Sequence, residues 1–416
     1  MKINWFSPLP PAQTDIADYT MRLLPALQER AEITLWTNQS TWDVEIEKYA
    51  KVRGYHIEVM PWAEINRGDL NIYHIGNNAD FHADIWLVSR QCPGLIILHD
   101  SKLQDFFINI YREKWGDRQG YLEQMQRYYS SSGKESAEAC WDDTISTDCL
   151  AENYPLTPLV LENSIGVITH NQEDYENLSQ ENRWLVGYIP LPYKSKFNHL
   201  PKIKLNISPP YKLIIFGYIN TNRRLEVVLE ALSNFNPNNA FVLHIYGQIL
   251  ALNSINEKIK TLGLSDRVKI HGFVEESELD TALANADLAI NLRYPTMGEA
   301  SGSQLRIWSH ALPSLVTNIG WYANLPEDTV AFIRHDREIE DIQQQLQNFL
   351  NNPKEFAAMG KQGKKLLQKQ HTPEIYAEAI VSFAQKVNQS RSQFLSLIHI
   401  SEPTRPYKSS RMPSSA

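Results

Sequence analysis

Two adjacent arginines, Arg223 and Arg224, follow a predicted strand that ends at Gly217, and a helix is predicted from about Arg223. In doubly wound proteins, ligands bind at the carboxyl ends of strands, often at helix N-termini, where free N–H groups and the helix dipole favour anions. A cation in the first turn of a helix opposes that dipole by about 0.3–1 kcal/mol. The pair is therefore easier to explain if it faces an anion such as a diphosphate. The alternative is a solvated pair that bonds Glu226 or Glu230.

A second candidate segment, RYPTMGEASGSQ, lies between the predicted strand DLAINL and the predicted helix QLRIWSHAL. Gly298 and Gly302 allow close approach of a ligand to the backbone, and Ser303 is a candidate N-cap. The exposed N–H groups of this loop would face the same crevice as the two arginines. Glu299 could then accept hydrogen bonds from sugar hydroxyls. The alternative is an ordinary loop with a solvated glutamate.

Short apolar runs alternate with segments of helical period along the chain, which predicts βα units and parallel sheets. In the first half, strands are predicted at 3–6, 33–37, 71–75, 95–99, 166–169 and 184–189. Asp15 is predicted to cap the first helix, because a carboxylate there can accept from free N–H groups. A longer, polar, helix-rich insertion is predicted between 100 and 155.

The composition changes to Lys, Pro, Asn and Ser at 193–211, which predicts a linker, and a second βα series follows. Its strands are LIIFG, FVLHIYG, VKIHGF, DLAINL and SLVTN, and closing helices are predicted at 338–351, 353–369 and 373–388. We therefore predict an α/β fold of two doubly wound Rossmann-like domains at 1–195 and 205–370, with a helix at about 373–390 packing back on the first. Residues 393–416 resemble translated vector or adapter sequence and are predicted to be a non-native tail.

The composition excludes several classes of protein. Among 416 residues, 40 Lys and Arg face 48 Asp and Glu, a net charge of −8 that disfavours phosphate-mediated binding to nucleic acid. Hydrophobic residues make up 43% of the chain, enough to build substantial cores. No apolar stretch approaches the roughly 20 residues of a membrane span, and the start of the chain does not look like a signal peptide. We expect a cytoplasmic protein with at most peripheral membrane contact.

Metal and phosphate-loop chemistry is also disfavoured. The three cysteines, Cys92, Cys140 and Cys149, show no zinc-ligand spacing, and no Asp-x-Asp motif occurs. The P-loop, GxGxxG and HExxH motifs are absent from the sequence. Four lysines between 361 and 369 are interpreted as a solvated helical face, with contact to anionic lipid as a lesser alternative. We expect no cofactor and no metal.

The ordered motifs resemble a known family. The series GYIN…RR, VKIHGFV and DLAINLRYPTMGEASGS…LPSLVTNIGW is similar to the C-terminal half of family 4 glycosyltransferases, also called group 1. The segments FSPLPPAQTDIADYT and PGLIILHD resemble loops in the first half of that family. The resemblance covers most of residues 1–390. It implies a GT-B-like fold, with the two domains facing a central cleft, and a retaining, metal-independent hexosyltransferase that uses a nucleotide-diphosphate sugar.

The resemblance also implies roles for individual residues. Arg223 stands where a basic residue holds the donor diphosphate, and Glu299 matches the glutamate that contacts the transferred sugar. His99 matches the histidine at the mouth of the cleft. These three residues form the implied catalytic set. The implied donor-binding residues are Gly217, Arg223, Arg224, Gly298, Glu299, Ala300, Ser301, Gly302 and Ser303.

The sequence departs from the family pattern at three places. Ile307 occupies the position of a second glutamate that usually binds ribose, and an isoleucine cannot accept a hydrogen bond. Tyr218 replaces an arginine that often follows the loop glycine. Thr14 and Asp15 replace a glycine pair, and we expect donor and acceptor to avoid Asp15 because its charge would repel a diphosphate.

The mechanism that the resemblance implies is front-face attack through an ion-paired, oxocarbenium-like transition state. The leaving diphosphate could itself accept the proton of the acceptor hydroxyl, which belongs to an unidentified glycan, lipid or small molecule. The loss of the second glutamate motivates one alternative, a catalytically silent relative that binds a nucleotide sugar or glycan. Another alternative is a nucleotide-sugar epimerase or hydrolase on the same fold.

Overall fold

The structure is a computed structural model that describes residues 1–195, 208–237 and 239–398. In the first half, the strands are β1 (Lys2–Phe6), β2 (Glu32–Thr37), β3 (Lys51–Gly54), β4 (Leu70–Ile75), β5 (Leu95–Leu98), β6 (Gly166–Thr169) and β7 (Leu185–Tyr188). The helices are α1 (Asp15–Leu27), α2 (Trp62–Ile65), α3 (Ala79–Gln91), α4 (Gln104–Ile108), α5 (Arg118–Trp141), α6 (Thr147–Asn153), α7 (Thr157–Leu161) and α8 (Gln172–Gln180). A 3-10 helix spans Val44–Lys48 and a π-helix spans Asn109–Lys114.

In the second half, the strands are β8 (Tyr211–Phe216), β9 (Phe241–Tyr246), β10 (Val268–Gly272), β11 (Leu288–Asn291), β12 (Ser314–Thr317) and β13 (Ala331–Ile333). The helices are α9 (Leu225–Ser233), α10 (Leu252–Thr261), α11 (Glu276–Ala284), α12 (Gly302–Ser309), α13 (Gly320–Ala323), α14 (Glu338–Asn351), α15 (Pro353–Gln370) and α16 (Pro373–Ile398). A 3-10 turn spans Thr221–Arg223.

The strands form two parallel sheets, one in each half of the chain. Their orders are β3-β2-β1-β4-β5-β6-β7 and β10-β9-β8-β11-β12-β13. Both orders reverse direction beside the first strand of the sheet, which is the topological switch point where doubly wound folds bind ligands. The predicted α/β class with two doubly wound domains is confirmed.

Apolar runs predicted the central strands because strands of a parallel sheet are buried on both faces. β4, β5, β6, β11 and β12 are buried along their whole length. The prediction missed two edge strands, β3 and β13. The sequence of β3 is KVRG, whose charged residues suit a half-exposed edge, and β13 has only three residues.

Two predicted boundaries need correction. The N-cap of α1 is Thr14, whose Oγ1 accepts from the Ile16 N–H, and Asp15 is the first helical residue. The helical backbone of α16 continues through Ile398, beyond the end that we predicted. Helix formers such as Gln and Leu in this stretch are compatible with that continuation. The central part of the predicted linker, 196–207, and the tail from 399 onward lie outside the described residues.

α16 packs on α1 of the first sheet although α15, which precedes it, packs on α12 of the second. Tyr376 of α16 is buried and its hydroxyl bonds that of Tyr19 in α1. The chain therefore crosses back to its first half after completing the second sheet. At this crossing, His371 Nδ1 lies 2.7 Å from the Leu191 carbonyl oxygen.

Four histidines are clustered in the first half, three of them beside Tyr19 and the fourth, His82, beside His74. His74 Nδ1 lies 2.9 Å from His99 Nε2, and the ring centroids of His99 and His170 are 5.3 Å apart. Burial lowers the pKa of His82 and of His170 to about 4, and it lowers the pKa values of His74 and His99 well below 6.5. All four imidazoles are therefore neutral at pH 7.

These shifts predict a loss of stability in acid. Between the unfolded pKa near 6.5 and the folded value of about 4, the unfolded chain binds more protons at His82 than the folded chain. His82 thus contributes stability above pH 6.5 that is lost as the pH falls toward 4. In urea unfolding from pH 7 to pH 4.5, the His82→Gln variant should lose stability less steeply than the wild type, by up to about 1.4 kcal/mol per pH unit.

Asp100 and Asp174 both have pKa values raised to about 7, mainly by burial, so their titration changes stability with pH in the opposite sense to that of His82. Both aspartates are present in the wild type and in His82→Gln, so the difference between the two slopes reports the histidine. Exposed His56 supplies the control, and His56→Gln should keep the wild-type slope. If the His82→Gln and wild-type curves run parallel across this range, the buried histidine does not set the acid response.

Candidate functional site

The first arginine segment begins where β8 ends. Gly217 has a φ of 107°, and a Cβ there would lie 3.3 Å from Arg223 Nη2. A glycine at this position therefore allows both the left-handed backbone and the approach of the guanidinium. The predicted helix start at about Arg223 is wrong. Residues Thr221–Arg223 form a 3-10 turn, Arg224 is left-handed, and α9 begins at Leu225.

Arg223 is a buried cation that forms no ion pair with a carboxylate among the described residues. Its side chain points between β8 and β11, where Nη1 donates to Asn291 Oδ1 at 2.8 Å and Nη2 donates to Ser303 Oγ at 3.3 Å. Only 9% of the residue is exposed, and its Nε has no hydrogen-bond partner in the described part of the chain. Burial and the neighbouring charge of Arg293 lower the pKa of Arg223 to about 10. Arg223 is still charged at pH 7.

Arg224 has a different environment from the one predicted. Its guanidinium forms a two-pronged ion pair with Glu338 at the start of α14, with Nε 2.9 Å from Oε2 and 3.0 Å from Oε1. The alternative partners that we considered, Glu226 and Glu230, both pair with Lys258 instead. Because Glu338 neutralises Arg224, the two adjacent arginines differ in their electrostatic surroundings. Arg224 anchors the loop to α14.

The second segment contains an ion pair that the sequence analysis missed. Arg293 Nε lies 2.9 Å from Glu299 Oε1, and both side chains are largely buried. Glu299 Oε2 accepts from the Thr296 hydroxyl at 3.0 Å and from the Met297 N–H at 2.8 Å. The carboxylate is therefore held in one orientation, with part of its acceptor capacity still available.

The N-terminus of α12 is fixed by a polar network. Its N-cap is Ser301, whose Oγ accepts from the Gln304 N–H at 3.1 Å, so the prediction of Ser303 as N-cap is wrong. Asn291 Nδ2 donates to Gln304 Oε1 at 3.0 Å, and the other end of the Asn291 amide accepts from Arg223. A Cβ on Gly302 would meet nothing within 4 Å. The first turn of α12 thus presents open backbone next to the unpaired arginine.

A backbone contact joins the two sheets at this loop. The Met297 carbonyl accepts from the Ser101 N–H at 2.9 Å and from the Lys102 N–H at 3.0 Å. A Cβ on Gly298 would lie 1.8 Å from Ser101 Oγ, and its φ is 83°, so only glycine fits. Asn171 Nδ2 also donates to the Gly298 carbonyl at 3.4 Å. The loop after β11 therefore rests on the loop after β5.

His99 and Asp100, which follow β5, lie on the opposite side of this contact from Glu299. The Nε2 of His99 is occupied by His74, which leaves Nδ1 as the free ring nitrogen for a ligand. Asp100 Oδ2 accepts from the Asn77 N–H at 2.8 Å. Burial and the charge of Glu299 raise the pKa of Asp100 to about 7. Asp100 can therefore change its protonation near neutral pH.

The structure shows where the three residues that depart from the family pattern lie. Ile307 is fully buried in the core beneath the second sheet, where it packs with Ile214 and Phe216. Tyr218 is 54% exposed, beside the arginine loop. Asp15 lies close enough for its charge to raise the pKa of Arg223, against the effect of burial. It therefore approaches the candidate site more closely than we expected.

The structure brings Arg223, Glu299 and the start of α12 together at the carboxyl edge of the second sheet, with His99 across the contact between the sheets. The sequence analysis missed Arg293, Asn291 and Asp100. Arg293 and Asn291 were visible only as residues at the end of a strand, and Asp100 as the neighbour of His99. Within the described ranges, no cluster of three or more His, Cys, Asp or Glu side chains could hold a metal ion. No helix in the same ranges is long and apolar enough to cross a membrane.

Residues 198–366 match the family described as glycosyl transferases group 1. The match covers 169 of the 416 residues, all of them after the last strand of the first sheet. No curated protein sequence matches the chain.

Solved structures share the whole architecture. Anabaena Alr3699/HepE in complex with UDP is 13% identical with a TM-score of 0.58, and the match covers 95% of this chain and 100% of that chain. Sucrose-phosphate synthase from Thermosynechococcus elongatus is 14% identical with a TM-score of 0.60 and the same coverage. A glycosyltransferase from Rickettsia africae is 12% identical with a TM-score of 0.61, over 93% of this chain and 98% of that chain. This similarity confirms the predicted GT-B-like fold.

The charge arrangement predicts that substitutions of Arg223 and Arg293 have different effects on the free energy of unfolding. Arg223→Met removes an unpaired buried charge and relieves its repulsion of Arg293, so the free energy of unfolding without ligand should stay the same or rise by about 1–2 kcal/mol. Arg293→Met leaves the largely buried Glu299 carboxylate without its ion-pair partner, so it should lower the free energy of unfolding by about 3 kcal/mol. Denaturant unfolding of both variants measures the difference. Equal destabilisation by the two substitutions would contradict this account of the site.

Proposed function

We propose that the chain is a retaining glycosyltransferase that moves a hexose from a nucleotide-diphosphate sugar to an acceptor hydroxyl without a metal ion. The observation that carries the proposal is the unpaired Arg223 beside the first turn of α12. A buried guanidinium and a helix N-terminus together form a site for an anion, and a diphosphate supplies the missing charge. The group 1 match covers both of these elements.

The relatives support the class of donor. Anabaena Alr3699/HepE was solved with UDP, with UDP and glucose, and with UDP-glucose. A nucleoside diphosphate is the leaving group of such a donor, and in this chain it would face Arg223 and the backbone of Gly302 and Ser303. Arg223 and the helix N-terminus together offset part of the charge of such a diphosphate, and we infer that transfer requires no metal.

The mechanism follows from where the charges are. As the bond between the sugar and the diphosphate breaks, negative charge grows on the leaving oxygen, and a fixed cation and helix dipole stabilise it without reorganising. Glu299, oriented by Arg293 and Thr296, accepts hydrogen bonds from hydroxyls of the transferred sugar. His99, with its free Nδ1, contacts the same sugar from the first sheet. The acceptor hydroxyl attacks from the face that the diphosphate leaves, which retains the anomeric configuration, and its proton passes to the departing phosphate.

One observation favours a second candidate function. Ile307 is buried in the core, so the usual ribose contact cannot form there even after a rearrangement of its rotamer. A relative that binds a nucleotide sugar without transferring it would retain the diphosphate site but tolerate this loss. A nucleotide-sugar hydrolase or epimerase on the same fold is the remaining alternative. The requirement for acceptor distinguishes all three.

The test measures release of nucleoside diphosphate from UDP-, GDP- and ADP-sugars, with and without a library of glycan and lipid acceptors. A transferase should release nucleotide rapidly only with an acceptor, a hydrolase should do so without one, and a silent relative should release none. Arg223→Ala should reduce release by at least about a hundredfold, because it removes a charge-assisted contact to the leaving group.

Exposed Arg337, at the start of α14, supplies the matched control, and Arg337→Ala should retain wild-type turnover. The anomeric configuration of the product, determined by NMR, tests retention. Full turnover in Arg223→Ala would sink the assignment of the donor site. An inverted product would refute the proposed mechanism even if the site is right.

A further inference from the structure

His74, in β4, is a fully buried imidazole that the mechanism above does not use. None of its surface is exposed, and its ring centroid lies 4.4 Å from that of Trp5. Its Nδ1 lies 2.9 Å from Nε2 of His99, which follows the neighbouring strand β5. Burying an imidazole costs more free energy than burying an apolar ring of similar size. The bond to His99 therefore requires an explanation.

The second nitrogens of these two rings have contrasting environments. His74 Nε2 is buried and has no hydrogen-bond partner in the part of the chain that the structure describes. Two neighbouring rings cannot donate to it, since the indole N–H of Trp5 and the hydroxyl of Tyr19 both donate elsewhere. His99 is partly exposed, and within the described ranges its ring forms a hydrogen bond only to His74, through Nε2. His99 Nδ1 is therefore free for a ligand.

Both imidazoles are neutral at pH 7. Burial, and after it the nearby imidazoles, hold the pKa values of His74 and His99 well below 6.5. A neutral imidazole carries one N–H and one lone pair, so the bond between the rings allows two arrangements. Either His74 donates from Nδ1 and His99 keeps its proton on Nδ1, or His99 donates from Nε2 and His74 keeps its proton on Nε2.

The buried Nε2 of His74 distinguishes these two arrangements. In the first arrangement it is a lone pair without a donor, and in the second it is an N–H without an acceptor. A buried N–H without an acceptor is the rarer of the two in folded proteins. The first arrangement is therefore favoured, with an N–H at Nδ1 of His99.

We propose that His74 is a positioning residue that fixes the tautomer of His99, so that His99 offers an N–H at Nδ1 to an oxygen of the transferred sugar. The role toward the sugar rests on the proposed function, whereas the tautomer itself does not. His99 then supplies a hydrogen-bond donor from the first half, while the Glu299 carboxylate supplies an acceptor from the second. The group of the sugar that faces His99 must accept a hydrogen bond, as a hydroxyl oxygen does and an ammonium group does not.

The tautomer can be measured by long-range ¹H–¹⁵N correlation NMR of the full chain, labelled with ¹⁵N-histidine, at pH 7. The chain has 12 histidines, and His99→Gln assigns the signals of interest. In the wild type, Nδ1 of His99 should have the shift of a protonated nitrogen and Nε2 that of an unprotonated one. His74→Asn should keep this pattern, because its amide N–H can replace the donor. His74→Phe keeps a ring but donates nothing, so the proton should exchange between both nitrogens of His99 and give averaged shifts.

His170 supplies the matched control. It is buried in the same cluster, with its ring centroid 5.3 Å from that of His99, but its Nδ1 bonds the Ile189 carbonyl. His170→Phe should therefore leave the shifts of His99 as they are in the wild type. A wild-type His99 that carries its proton on Nε2 would overturn the proposal, and this spectrum is decisive even if a variant fails to fold. A spectrum of His74→Phe identical to that of the wild type would also overturn it.

Turnover tests the role toward the sugar. On the UDP-, GDP- or ADP-sugar from which the wild type releases nucleotide, His74→Phe should lower kcat by about tenfold, the effect of one hydrogen bond that strengthens in the transition state. His74→Asn should restore most of this loss. An unchanged kcat in His74→Phe would refute the role toward the sugar. A wild type that releases no nucleotide would refute the proposed function instead, and the tautomer would still be established by its spectrum.

Discussion

The structure of the candidate site depends on one buried charge that forms no ion pair with any described residue. Arg223 is held between β8 and β11 by neutral groups, Asn291 and Ser303, while the nearby Glu299 is bound to Arg293. Burial of an unpaired cation is costly, and a protein retains one when another molecule supplies the opposite charge. The left-handed Gly217, the amide of Asn291 and the capped start of α12 all serve to hold this guanidinium at the edge of the sheet. The site is thus prepared for an anion before any ligand binds.

The loop after β11, which contains Glu299, connects the two halves of the molecule. The Met297 carbonyl accepts hydrogen bonds from two N–H groups of the loop after β5. The two loops that contain Glu299 and His99 are therefore held at a fixed separation. Gly298 makes this contact possible, since any side chain there would collide with Ser101. Rigid placement of groups from two sheets is what catalysis by positioning requires. The crossing of α16 back to α1 supports the same arrangement from the opposite side of the fold.

The fold was largely predictable from sequence because its central strands are buried on both faces, so that they appear as continuous apolar runs. Two of the four edge strands, β3 and β13, were missed because an edge strand such as KVRG in β3 needs no apolar run. Within the site, Arg223 and Glu299 could be located from their positions after strands. The partners of Arg223 could not, because Asn291 and Ser303 lie 68 and 80 positions away in the chain, and sequence patterns do not show such contacts.

The contact between His244 and His271, whose Nδ1 and Nε2 atoms lie 3.0 Å apart, illustrates a further limit of sequence analysis. His244 and His271 become neighbours only through the pairing of β9 with β10, whose register shifts between Ile270 and Gly272. Nothing in the local sequence indicates that shift. The cap of α12 is a similar case, since Ser301 and Ser303 are both plausible caps and the network of Asn291 and Gln304 selects the first.

The most direct test of the central claim is a calorimetric titration of UDP, GDP and ADP into the wild type, Arg223→Met and Arg337→Met. We predict that at least one nucleoside diphosphate binds the wild type and Arg337→Met with equal affinity, and binds Arg223→Met about thirtyfold more weakly, the loss expected for one charge-assisted contact. Equal affinity in all three proteins would show that Arg223 is not the group that the diphosphate neutralises, and the account of the site would be wrong.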